Sequence, residues 1–108
     1  MELKELAKKY FETFSREDLD GLSEMFDDNV VLKDWDISAT GKMGVLAANR
    51  NIFESVESIV VTPIYLYEDN STVVAELSIV VNGREHLFVV DVLSFVGDKI
   101  ASIRAYKG

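Results

Sequence analysis

From Ser58 onward the chain is a succession of four runs rich in β-branched and aromatic residues. They span Ser58–Leu66, Thr72–Val81, His86–Val96 and Ile100–Tyr106, and are separated only by the turn-forming stretches EDNS, NGR and GDK. Short polar breaks between strand-length runs force neighbouring strands to pair antiparallel, so half of the molecule is committed to a meander. The first half has a different period. Leu3, Leu6, Ala7, Tyr10, Phe11 and Phe14 recur at helical spacing, which predicts an amphipathic helix over residues 2–14 with Tyr10 on its apolar face. Ser15 followed by Asp18 is a capping-box variant, and Leu19, Leu22, Met25 and Phe26 form the apolar face of a second helix packed on the first as a hairpin. Asn29–Asp34 reads as a short strand. The polar run SATGK then leads into a third helix over Met43–Phe53.

Helices first and a long antiparallel sheet afterwards define an α+β class, with the helices covering one face of a curved sheet. A length of 108 residues, 48% of them hydrophobic, suits one domain over 1–108 with a single core. The chain has no cysteine, so thiolate chemistry, disulfides and cysteine-based metal sites are excluded. Its formal net charge of −8 repels phosphate backbones and anionic headgroups, and no basic stripe offsets it, so neither nucleic acid nor membrane is an expected partner. MELKELAKK lacks the apolar run of a signal peptide and no stretch reaches the length of a membrane span, so a cytoplasmic location is expected.

Within FVVDVLSF, Asp91 interrupts an apolar strand. Leu87, Val89, Asp91, Leu93 and Phe95 share one face, while His86, Phe88, Val90, Val92 and Ser94 share the other. Both faces are apolar, so the second needs a cover of its own, for which a second copy of the chain, a homodimer, is the simplest choice. Burying an unpaired carboxylate costs several kcal/mol, roughly, so Asp91 needs an explanation. A two-residue Gly97-Asp98 turn places it opposite Arg104 as an ion pair. A three-residue Gly97-Asp98-Lys99 loop instead sets Ala101, Ile103 and Ala105 against the Leu87, Val89, Asp91, Leu93 face and turns Arg104 away. Hydrophobic matching favours the shifted register and turn chemistry favours the ion pair, which leaves open an ion pair or a solvated position on one side and a pocket acid on the other. A pocket acid without a cation would be raised in pKa by desolvation and, held neutral, would donate a hydrogen bond. His86, the one histidine, lies on the opposite face with no ligand cluster, so no metal is expected.

Three segments, AKKYFETF, SREDLDGLSEMFDDNVVLKD and FVVDVLSFVGDKIASIRA, resemble the bacterial ketosteroid isomerases of the nuclear transport factor 2-like (SnoaL-like) superfamily. The resemblance covers nearly the whole chain and is strongest in the helix hairpin through Asp34 and in the last two strands. It implies a cystatin-like cone of three N-terminal helices on a curved antiparallel sheet. It also aligns Tyr10 with the family's oxyanion-hole tyrosine, Asp34 with its general base and Asp91 with its protonated aspartic acid. The ketosteroid isomerases are themselves the known example of an acid kept neutral in order to donate. The implied chemistry is removal of an α-proton from a ketone by Asp34 and its return two carbons away, with Tyr10 and Asp91 holding the dienolate oxygen and no cofactor. The implied ligand is a small apolar ketone or steroid-like molecule, with Phe14, Trp35, Leu87, Val89 and Ala105 as pocket walls.

Asp36, in DWD, shares the face of Asp34 if the strand continues, and so is a rival base. Departures from the family are Asn49 in place of a supporting tyrosine and Lys107 where an aromatic would close the pocket. The loop after Asp34 is two residues shorter, and the chain lacks the family's tail. The alternatives are a noncatalytic ligand-binding module of the same fold and a polyketide-cyclase-like enzyme using the same aspartate. A single histidine and the lack of an Arg-x-Asp array argue against dehydratase and epoxide hydrolase chemistry.

Overall fold

The computed structural model describes residues 2–108 and has the element order α1 (Leu3–Ser15), α2 (Leu19–Met25), β1 (Phe26–Lys33), β2 (Ser38–Thr40), α3 (Gly41–Ser55), β3 (Ile59–Asp69), β4 (Thr72–Val81), β5 (Glu85–Val96) and β6 (Lys99–Lys107). The helices form where the 3.6-residue period predicts them. On α1, Leu6, Ala7, Tyr10 and Phe11 are buried on one stripe. The start of α2 differs from expectation: Ser15 ends α1, and Asp18 is the N-cap, its carboxylate accepting from the Gly21 N–H at 3.0 Å. A Cβ at position 21 would lie 2.6 Å from that carboxylate, so the cap requires glycine there. Phe26 is not part of the α2 face; it opens β1 and is buried.

The six strands form one sheet in the order β2-β1-β6-β5-β4-β3. The meander β3 to β6 is antiparallel, but β1 runs parallel to β6, so the sheet is mixed rather than purely antiparallel. Pairing β1 with β6 is a contact between distant parts of the chain, and no turn between them encodes its direction. β2, within the run SATGK, was not expected as a strand; it forms the edge beside β1. Pro63 lies in β3, the opposite edge, where a missing N–H breaks no interior ladder.

The three helices and the inner face of the curved sheet enclose one hydrophobic cluster, in which Phe11, Leu22, Phe26, Val30, Leu93 and Ile100 are almost fully buried. Complete burial of each such side chain contributes roughly 1.5–3 kcal/mol. Along β5 the alternation follows the sequence pattern. Val89, Asp91, Leu93 and Phe95 are buried on the inner face, while Val90, Val92 and Ser94 are half-buried and Phe88 exposed on the outer one.

The β5–β6 hairpin resolves the register. The connection is the two-residue Gly97-Asp98 turn, pairing Val96 with Lys99 and Phe95 with Ile100, with Gly97 at φ 58°. A bulge at Ala101 then inserts one extra residue, so Ser94 faces Ser102 and Asp91 faces Ala105. Of the two alternatives, the two-residue turn forms and the three-residue loop does not, while the shifted register that the loop would have produced is present. Arg104 pairs with Val92 and is exposed on the outer face. No Asp91–Arg104 ion pair forms.

Candidate active site

Between the helices and the inner face of the sheet lies a cavity of about 260 Å³. Its lining includes all eight residues expected from the sequence: Tyr10 and Phe14 from α1, Asp34 and Trp35 after β1, Leu87, Val89 and Asp91 from β5, and Ala105 from β6. Each reaches it for a local reason. Tyr10 sits mid-stripe on α1, its ring wedged 5.3 Å from Phe11 and 6.2 Å from both Phe14 and Phe26. Phe14 packs edge-on against Phe53 at 4.9 Å, joining α1 to α3 at one wall. Asp91 points inward because β5 alternates, and Ala105 opposite it is small enough to leave space beside the carboxyl.

Asp34 is placed by a turn. β1 ends at Lys33, and the Asp34 Oδ1 accepts the N–H groups of Asp36 at 2.7 Å and Ile37 at 2.5 Å, while its own N–H donates to the Ile37 carbonyl at 2.9 Å. One carboxylate oxygen is thereby fixed, and the side chain reaches the cavity with its second oxygen outside these bonds. Because the strand does not continue, Asp36 does not share an alternating face with Asp34. Asp36 is exposed at the cavity rim, and its backbone helps to hold Asp34.

The electrostatics follow from burial. Asp91 is 8% exposed, and neither ion pair among the described residues involves it. Desolvation, with the nearby Asp34 charge as the smaller cause, pushes its pKa up to about 7. The Tyr10 hydroxyl is raised above the ordinary phenol range, chiefly by burial and secondly by the Asp91 charge, so it remains a proton donor. The cavity thus offers two donors, one hydroxyl and one acid that is readily neutral, together with one fixed carboxylate near its rim.

Trp35 is half exposed at the rim, and the Lys107 ammonium lies 5.9 Å from its ring centroid. Several lining residues were not singled out as pocket walls, among them Leu77 and Ile79 of β4 and Ile52 of α3. Apolar positions facing a cavity carry the same sequence signal as those facing the core. Asn49 also lines the cavity, and its signal was visible. It occupies the centre of the buried stripe Val45, Asn49, Phe53 of α3, where the period calls for an apolar side chain.

Comparison with known proteins places this architecture. Solved structures similar to it include a candidate ketosteroid isomerase from Kribbella flavida, with a TM-score of 0.84 and 20% identity over 95% of this chain and 75% of that one. A candidate polyketide cyclase from Sinorhizobium meliloti gives 0.85 and 18% over 94% and 93%. An LEH-like epoxide hydrolase from M. tuberculosis gives 0.83 and 17% over 96% and 80%. At these identities the likeness is one of fold. No curated protein matches the chain by sequence. The model of the SnoaL-like domain family matches residues 7–103, and the chain belongs to that family.

Proposed function

We propose that the protein is a ketosteroid-isomerase-like enzyme that moves a carbon–carbon double bond into conjugation with a ketone in a small cyclic substrate. The observation that carries this reading is that Tyr10, Asp34 and Asp91 line one apolar cavity, with no cation paired to Asp91 among the described residues. In the proposed reaction the free oxygen of Asp34 takes the α-proton and returns it at the γ-carbon. The negative charge that develops on the substrate oxygen is met by the Tyr10 hydroxyl and the neutral Asp91 carboxyl. Donors already aimed at that oxygen in a dry site cost no reorganisation as the charge appears.

Cavity size bears on the substrate. At about 260 Å³ the cavity lies just under the usual ~300–1,000 Å³ of sites that engulf drug-sized ligands. It suits one or two rings, and a larger ring system would extend past Trp35 and Lys107.

The reading is tested by offering a β,γ-unsaturated cyclic ketone to the wild type and to Asp34→Asn while following conjugated-enone absorbance. Loss of a positioned general base lowers the rate by about 10²–10⁴-fold. Equal, uncatalysed rates in both proteins would leave a noncatalytic ligand-binding module as the reading of the cavity.

A further inference from the structure

Asn49 is 2% exposed, and its Oδ1 is buried with no hydrogen-bond partner among the described residues. A buried amide normally bonds a backbone group or another side chain, because leaving it unpaired carries the full cost of its desolvation. Here it stands between Val45 and Phe53 on the stripe of α3 that faces the protein interior, where leucine would fill the space at no such cost. It also lines the cavity, on the helix wall, whereas Asp91 belongs to the sheet wall. The proposed proton transfer makes no use of it.

We propose that Asn49 recognises a hydroxyl group on the ligand, so that the substrate class is a hydroxylated cyclic ketone rather than a plain hydrocarbon ketone. The inference rests on the cavity being the ligand site and deepens the reading given above. The amide offers one acceptor oxygen and two N–H donors. A hydroxyl both donates and accepts, so it bonds the amide turned either way. The carbonyl end of the ligand is met by Tyr10 and Asp91, and the hydroxyl end by Asn49. A second hydrogen-bonding group, besides Tyr10 and Asp91, fixes the orientation of a ligand that the apolar lining alone would leave free to turn over.

The test is equilibrium binding to full-length Asp34→Asn, which removes turnover, followed through the fluorescence of Trp35, the one tryptophan, which sits at the rim of the cavity. The probes are 2-decalone and the set of its monohydroxy derivatives. At least one hydroxylated isomer is expected to bind about tenfold more tightly than 2-decalone, as one net hydrogen bond to a buried amide provides. Adding Asn49→Leu should abolish that preference while leaving 2-decalone binding equal or tighter, and should leave the melting temperature of the ligand-free protein unchanged or higher. Asn49→Ala gives the same binding comparison if leucine proves too large to fold. Equal affinities across the set, the result expected if water alone serves the amide, overturn the inference. So does a preference that survives both substitutions. Because binding is read without Asp34, failure of isomerisation in the wild type leaves this result standing. An active isomerase with no hydroxyl preference overturns this inference alone.

Discussion

Asp91 affects stability in the direction opposite to a salt-bridged carboxylate. Its pKa rises from an ordinary 3.8 to about 7 on folding, so between those values the folded chain holds a proton that the unfolded chain releases. Stability therefore falls as pH rises from about 4 to about 7, by roughly 4 kcal/mol at ~1.36 kcal/mol per pKa unit. Asp91→Asn should flatten this dependence and stabilise the protein at pH 8, as measured by denaturant unfolding across pH. The amide still donates, so isomerisation by Asp91→Asn should fall only about tenfold, against about 10²–10³ when Asp91→Leu removes the donor. The wild type should lose kcat/KM above pH 7 as Asp91 ionises, and Asp91→Asn should not. That Asp91 needed an explanation was legible in the sequence, because an acid stood on an apolar face. Whether Asp36 shares the face of Asp34 was not, because that depends on where β1 stops, and a turn in which Asp34 accepts two backbone N–H groups follows Lys33.

At the scale of elements, the β5–β6 hairpin decides what Asp91 is. Hydrophobic matching favoured the face that β6 presents without deciding it, since a one-residue slip would have put Ser102 and Arg104 against Leu93 and Asp91. The device producing the register was hidden. A bulge at Ala101 carries no strong residue signature, whereas Gly97-Asp98 announced the turn correctly. Because Arg104 faces solvent beside Val92, Arg104→Ala should change stability by less than about 0.5 kcal/mol in urea unfolding. A loss of several kcal/mol would mean that the guanidinium does reach a buried carboxylate. β2 and the parallel β1–β6 pairing were illegible for a different reason: a three-residue strand has almost no period, and pairing between distant segments is set by packing.

For the whole molecule, the open matter is the outer face of the sheet. Val60, Tyr65, Tyr67, Phe88 and Tyr106 are each about half or more exposed on neighbouring strands, and Val74, Val90 and Val92 lie half-buried between them. This largely apolar face is interrupted by Glu76, which lies between Tyr65 and Val90, and the proposed cover for it is a second copy of the chain. Light scattering coupled to gel filtration should give twice the 12.1 kDa chain mass, and Phe88→Glu should return it to one chain with the cavity intact. A monomeric wild type would remove the dimer from the account. No described helix is long and apolar enough to cross a membrane. The fold was legible from the switch in period between the two halves of the chain, a property of many residues together, whereas the oligomeric state depends on one surface.

The central claim is that Asp91 shares one apolar cavity with Asp34, closely enough to feel the Asp34 charge. Carboxyl ¹³C chemical shifts of Asp91, followed through a pH titration of the wild type and of Asp34→Asn, measure this directly. The account predicts a wild-type midpoint near 7 and a lower one once the Asp34 charge is removed. A midpoint near 3.8 in both proteins would contradict it.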